Sequence, residues 1–127
     1  MFLAEEWLKE IDEKVRPLVI ILNEFPGTHT FTSCGGHKKP LEISQCGPGK
    51  FWVNMYFNRT GPGWRSLELI THVVKYLVHA EGVKVKLDPW FNGIEPEQTH
   101  SLMFELSGKD CIELLTSELK KIQVKFK

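Results

Sequence analysis

The sequence of 127 residues has no long hydrophobic run and no net charge. Its longest apolar run, Leu18 to Leu22, is far shorter than the ~18 residues of a membrane-spanning helix. It begins Met-Phe-Leu-Ala-Glu-Glu and lacks the basic region of a secretion signal. Its 16 basic residues balance 16 acidic ones, which disfavours a dedicated nucleic-acid binder. These absences predict a cytoplasmic protein that no helix anchors in a membrane.

Cysteine is also scarce, with three in the whole chain. An odd number argues against a disulfide framework. A bond between Cys34 and Cys46 remains an alternative, although a reducing cytosol disfavours it. Cys111 lies on an apolar helical stripe and is predicted to belong to the core. The sequence therefore predicts free thiols.

What is present is the composition of an ordinary globular protein, with 42% hydrophobic and 25% charged residues. The length suits a single domain over residues 1–127 with one core. Charge is unevenly spread, since the segment from Phe25 to Arg65 has a local net charge of +4. A positive face on a neutral protein would suit an anionic ligand.

Hydrophobic periodicity predicts an α+β domain with the order α-β-β-α-β-β-α. A helical pattern over residues 3–25 is interrupted near Pro17, which removes an amide donor. Ser66 is predicted to cap the second helix, and a capping box, Ser107 to Asp110, to start the third. The predicted strands cover Thr28 to Cys34, Phe51 to Asn58, Val83 to Leu87 and Thr99 to Leu106.

This order predicts two layers and a mainly antiparallel sheet, and it indicates an internal duplication of an αββ unit. Gly27 and Gly82 occupy equivalent places in the two units, 55 residues apart. In each unit a long connection follows the first strand. We therefore expect the two connections to meet at one sheet edge, where Trp90 and His100 would approach Cys34.

The densest chemical cluster runs from Thr28 to His37. A β-prone segment leads to a thiol, and two glycines then precede an imidazole and two lysines. Successive glycine amides can form a concave nest for a phosphate or carboxylate, and the lysines can add full charge. The predicted ligand-binding residues are Ser33, Cys34, Gly35, Gly36, His37, Lys38, Trp52, Trp90 and His100.

The same cluster permits other chemistry. Cys34, His37 and Cys46 form a ligand set that zinc accepts, with His29 or His100 as a fourth ligand. Cys34 beside His37, with glycine amides as an oxyanion hole, also has the composition of a cysteine enzyme. The simplest alternative is a scaffold protein in which the glycines only shape a turn.

Three short segments, Leu22-Asn23, Pro26-Gly27 and Ser33 to His37, together resemble a pattern in small uncharacterised microbial proteins with a Ser-Cys-x-Gly-His motif. More remotely, Ser33, Cys34 and Gly36 are similar to the Ser-Cys-x-Gly-Arg segment of the wybutosine-synthesis methyltransferase family. His37 stands where that family has arginine. This resemblance implies modification of a tRNA guanosine derivative with S-adenosylmethionine as cofactor.

Taken together, the residues favour binding of a small anionic or nucleotide-like ligand at the Ser33 to Lys38 stretch. An RNA-modifying enzyme, a zinc protein and an interaction scaffold are the alternatives. The sequence leaves open whether the protein is catalytic and whether it is a monomer or a homodimer. Free sheet edges permit pairing between copies.

Overall fold

The computed structural model describes residues 13–34, 49–89 and 99–126. These residues form three helices and a four-stranded antiparallel sheet, which confirms the predicted α+β order. No helix in the described ranges is long and apolar enough to cross a membrane. The elements are α1 (Arg16–Asn23), β1 (Thr28–Cys34), β2 (Lys50–Asn58), α2 (Gly61–Glu81), β3 (Lys84–Pro89), β4 (Thr99–Ser107) and α3 (Cys111–Phe126).

The core lies between the helices and one face of the sheet, because alternate strand residues point to opposite faces. On β2 the inward side chains are fully buried, and on β4 Phe104 and Leu106 lie beside them. The helices contribute their apolar faces to the same cluster. We call this side of the sheet the helix face. The inward residues of β2 are Phe51, Val53, Met55 and Phe57.

The other side of the sheet is the second face. It carries Trp52 and Tyr56 from β2 and their partners Glu105 and Ser101 from β4. These side chains are half-buried. All buried apolar residues of the described helices belong to the cluster on the helix face. The described part of the molecule therefore has two layers, as the sequence predicts.

The strand order β1-β2-β4-β3 corrects one expectation. All neighbours are antiparallel, so β1 and β3 run in opposite directions. The connection after Cys34 therefore leaves one end of the sheet, and the connection after Pro89 leaves the other. The prediction that the two long connections meet at one edge is wrong. A two-fold rotation about an axis perpendicular to the sheet relates the β1–β2 pair to the β3–β4 pair. The connections within the two pairs therefore begin at opposite ends of the sheet.

The corner between α1 and β1 is held by the buried Asn23 side chain. Its amide donates to the Val19 carbonyl at 2.8 Å and to the Thr30 hydroxyl at 2.7 Å. Its oxygen accepts the backbone N–H of Thr30 at 3.1 Å. The corner itself needs glycine, because Gly27 has φ 71° and a Cβ there would lie 2.8 Å from Gly63 Cα. Asn23 of the Leu-Asn pair and Gly27 of the Pro-Gly pair thus have structural roles.

The second helix begins earlier than predicted. Thr60 is the cap, accepting the Gly63 N–H, and Gly61 to Gly63 form the first turn instead of a loop. Pro62 is tolerated there because first-turn amides have no intrahelical partner. Ser66 is therefore not a cap, and its buried hydroxyl donates to the Pro26 carbonyl at 2.6 Å.

The other two helix starts also differ in detail from the sequence patterns. Ser107 still belongs to β4, and the chain reaches α3 through Asp110 at φ 58°, so the predicted capping box is wrong. Cys111 is 3% exposed, which confirms its place in the core. Pro17 lies in the first turn of α1, which begins at Arg16, and there it costs no hydrogen bond. Residues 1–12 of the predicted first helix lie outside the described ranges.

Candidate functional site

Ser33 and Cys34 end β1 at one end of the sheet, which we call the Cys34 end. Ser33 pairs with Val53, and Cys34 pairs with Trp52. The register shifts between Thr30 and Thr32, and this β-bulge moves one residue out of the alternation. Without the bulge, Cys34 would share the helix face with Thr30. With it, Cys34 occupies the register position opposite Trp52, which belongs to the second face.

Trp52 is the predicted ligand-binding residue that the fold brings next to Cys34. It is half-buried and lies between Cys34 on β1 and Glu105 on β4. An indole in this place offers an aromatic surface in the last residue pair of β1 with β2. The strand register thus places Trp52 opposite Cys34, and its role in ligand binding stays a prediction.

Three lysines lie at the Cys34 end of the sheet, spread across its width on β2, on β3 and just after β4. Lys50 at the start of β2 and Lys84 at the start of β3 both pair with Ser107 at the end of β4. Lys109 follows two residues later, and all three lysines are exposed. The next residue after Lys109 is the acidic Asp110. Sequence reasoning overlooked Lys84 and Lys109, because only the antiparallel strand order brings them to this end.

His100 lies at the other end of the sheet. It pairs with Phe57, five residues along β2 from the Trp52 that pairs with Cys34. Five residues at ~3.3 Å along the strand and two strand spacings of ~4.8 Å across the sheet separate His100 from Cys34 by about 19 Å. The expectation that they converge is wrong, and His100 instead shares the helix face with its partner Phe57. Its ring lies 5.7 Å from the ring of Trp64 on α2.

Two basic residues of the positively charged Phe25 to Arg65 segment lie away from Cys34. Arg65 is near the start of α2, which follows β2 at the opposite end of the sheet. Arg59 lies at that end too, where its Nε donates to the Thr99 carbonyl at 3.2 Å. The charge of these two arginines is therefore not at the Cys34 end.

His29 forms a separate aromatic contact on the second face. Its ring stacks on Tyr56 with centroids 4.8 Å apart and an interplanar angle of 21°. Burial lowers the pKa of this imidazole below its ordinary value. Its Nδ1 is buried and has no hydrogen-bond partner within the described ranges. His29 lies five residues from Cys34 on the same strand, about 16 Å away. Neither His29 nor His100 is therefore within reach of Cys34 as a fourth metal ligand.

Several predicted site residues lie outside the described ranges and stay predictions: Gly35, Gly36, His37, Lys38, Cys46 and Trp90. Within those ranges no group of three or more His, Cys, Asp or Glu side chains could hold a metal ion. His37 and Cys46 lie outside the described ranges, so this observation does not test the predicted zinc site of Cys34, His37 and Cys46.

The described thiol is a poor nucleophile. Burial raises the pKa of Cys111, and its Sγ lies 3.9 Å from both the Gly49 and the Leu106 carbonyl oxygens. A thiol that stays protonated is unreactive. Cys111 therefore packs at the junction of β2, β4 and α3, and its environment does not favour the thiolate.

A groove of about 450 Å³ lies between α1 and α3, away from the predicted site. Its lining includes the exposed Ile20, and the side chains of Glu24 and Gln123 are hydrogen-bonded to each other. Among the described residues it contains no nucleophile and no cluster of charge. It therefore does not compete with the Cys34 end as a candidate site.

Comparisons with protein families, with curated proteins and with solved structures found no match for this chain.

Proposed function

We propose that the protein binds a small anionic, nucleotide-like ligand at the Cys34 end of the sheet. The observation that carries the proposal is that Lys50, Lys84 and Lys109 lie at the end of the sheet where β1 leads into the Gly35 to Lys38 stretch. Exposed lysines raise the local concentration of an anion, and glycine amides can bind a phosphate directly.

Trp52 supports the nucleotide-like character of the ligand. It lies opposite Cys34 and is half-buried on the second face, so part of its ring is accessible. Stacking of a base on an aromatic side chain contributes about 1–3 kcal/mol. A phosphate near the glycines and a base near Trp52 would use both features of this end.

The roles of the neighbouring residues also support the proposal. Asn23 and Gly27 are explained by the fold, since one holds the α1–β1 corner and the other permits its close contact with Gly63. Ser33 is half-buried and makes no side-chain hydrogen bond to a described residue. Ser33 thus has no such structural explanation, which favours a role in binding.

Isothermal titration calorimetry with AMP, adenosine and inorganic phosphate tests the proposal. We expect AMP to bind, and we expect the double variant Lys84→Gln with Lys109→Gln to lower the affinity for AMP by about tenfold because it removes exposed positive charge. Salt, which screens the same charge, should also lower the affinity. Trp52→Leu should lower the affinity for AMP by about tenfold and leave the affinity for phosphate unchanged. Arg65→Gln, at the opposite end, is the matched control and should have no effect.

Two outcomes would overturn the proposal. One is folded protein that binds neither AMP nor phosphate. The other is binding that Arg65→Gln weakens as much as the lysine variants do. Binding of S-adenosylmethionine without AMP in the same assay would instead favour the methyltransferase-like alternative.

A further inference from the structure

The second edge of the sheet, β3, is a regular strand with a free side. It pairs with β4 over Lys84 to Pro89 without a register shift, and no described strand lies beyond it. Val85 and Leu87 lie opposite Leu106 and Phe104 and so belong to the helix face. Lys86 and Asp88 belong to the second face, opposite Glu105 and Met103.

The helices leave the apolar side of β3 uncovered. Val85 is 37% exposed and Leu87 is 45% exposed, although their β4 partners are fully buried. An exposed, regular edge strand with apolar side chains is a template for pairing with another strand. Among the described residues the sheet therefore ends at β3, with outer backbone groups that no described strand pairs and with exposed apolar side chains.

The β1 edge is protected by contrast. A bulge interrupts it between Thr30 and Thr32, and the Asn23 side chain occupies the N–H and hydroxyl groups of Thr30. A bulge twists an edge away from a flat partner, and a side chain on a backbone group blocks its pairing. If one edge of this sheet pairs between molecules, it is β3.

We propose that β3 pairs antiparallel with β3 of a second copy, about a two-fold axis through Leu87. In this register Leu87 lies opposite itself and Lys86 lies opposite Asp88 of the second copy. Val85 lies opposite Pro89, which lacks an N–H and ends the paired segment. The result is a closed, isologous dimer with one continuous sheet.

Charge selects this register over its neighbours. Cross-strand partners share a face, so the axis passes through a residue position. An axis through Lys86 would pair Lys84 with Asp88 but place Lys86 opposite itself, and an axis through Val85 would place Lys84 opposite Lys86. An axis through Leu87 gives two Lys–Asp pairs and opposes no like charges within β3. Lys86 Nζ and Asp88 Oδ2 of one copy already lie 3.4 Å apart, so the four charges would form one alternating group.

Sedimentation velocity over a range of protein concentrations tests the proposal. We expect a monomer–dimer equilibrium whose dissociation constant rises at least about tenfold in Leu87→Lys, which opposes two like charges on the axis. The exposure of Leu87 means that the monomer should keep its fold, as circular dichroism would show. Phe31→Lys on the β1 edge is the matched control, since Phe31 is 46% exposed, and it should leave the equilibrium unchanged.

A charge exchange tests the register itself. Lys86→Asp and Asp88→Lys should each weaken self-association, because each opposes like charges across the axis. An equimolar mixture of the two variants should form heterodimers. The double variant Lys86→Asp with Asp88→Lys should recover the homodimer, whereas an axis through Lys86 would place two aspartates opposite each other and prevent recovery.

A wild-type protein that stays monomeric from low micromolar to millimolar concentration would overturn the proposal. So would a dimer that Leu87→Lys leaves intact, or one that Phe31→Lys disrupts equally. A dimer that is sensitive to Leu87→Lys but is not recovered in the double variant would overturn the register.

Discussion

The two helix-to-strand corners of the molecule share their backbone geometry but differ in their surroundings. Each has a glycine in the left-handed region, Gly27 at φ 71° and Gly82 at φ 70°. A Cβ on Gly27 would meet the Gly63 backbone at 2.8 Å, whereas a Cβ on Gly82 would meet nothing within 4 Å. The first glycine therefore serves close packing as well as the turn, and the second serves the turn alone.

The strands that follow these corners differ in the same way. β1 is joined to α1 through Asn23 and shifts register at its bulge. β3 begins after a corner with no such side-chain bond and keeps a regular register to Pro89. The comparison shows that an αββ order can be built twice with unequal anchoring. An interrupted edge strand follows the closely packed corner, and a regular edge strand, with no described strand beyond it, follows the looser one.

The largest expected effect comes from substitution of Gly63, whose backbone lies close to Gly27 and Asn58. Gly63→Ala would place a Cβ 1.9 Å from the Asn58 carbonyl oxygen, a backbone atom that cannot rotate away. We expect the free energy of unfolding to fall by about 3 kcal/mol, the upper range for overpacking. Urea denaturation measures it.

Gly61→Ala, in the same helical turn with nothing within 4 Å, is the control for Gly63→Ala and should be neutral or stabilising. Equal losses of stability in the two variants would show that helix propensity, and not the contact with Asn58, determines the effect.

The second prediction compares the two corners directly. Gly27→Ala and Gly82→Ala both introduce a Cβ at positive φ, which costs about 1 kcal/mol in each. Only Gly27→Ala adds a backbone clash, so it should lose about 1–2 kcal/mol more stability in the same urea titration. Indistinguishable losses would contradict the unequal anchoring described above.

The smallest effect concerns β1 and pH. Burial lowers the pKa of His29, so the folded protein binds this proton less readily than the unfolded chain. His29 therefore stabilises the fold fully above its ordinary pKa of about 6.5, and this contribution is lost as pH falls towards the lowered folded value. His29→Gln should flatten the fall in stability between about pH 7 and pH 5.

Thermal unfolding across that pH range measures this slope, with His72→Gln on the exposed side of α2 as the control. A slope that is unchanged in His29→Gln would contradict the role of the buried imidazole.

The fold was largely predictable because the apolar residues repeat with the right periods. The pattern over Thr28 to Cys34 predicts β1 with its observed bounds, and the alternation around Val53 and Met55 predicts β2 and its buried face. Helix starts were less predictable. Gly61 to Gly63 reads as a turn in isolation, and only the contact with Asn58 shows why a helix needs glycine there.

The candidate site was predictable only in part. The Cys34 stretch stands out by its residue types, and Trp52 follows from the pairing of β1 with β2. Sequence could not exclude His100 or include Lys84, because both depend on the direction of β3 and β4 in the sheet. Residues far apart in the chain meet or separate according to strand order, which local patterns do not encode.

The sequence by itself determined the order of helices and strands, the buried faces and the place of Cys111 in the core, since each depends on local hydrophobic period. Tertiary structure alone decided which residues lie at each end and at each edge of the sheet. The antiparallel order gathers lysines at the Cys34 end, and the β1 bulge places Cys34 opposite Trp52. Leu87 remains exposed on an edge strand with no described strand beyond it. These outcomes follow from the packing of whole elements, which sums contacts over distant parts of the chain.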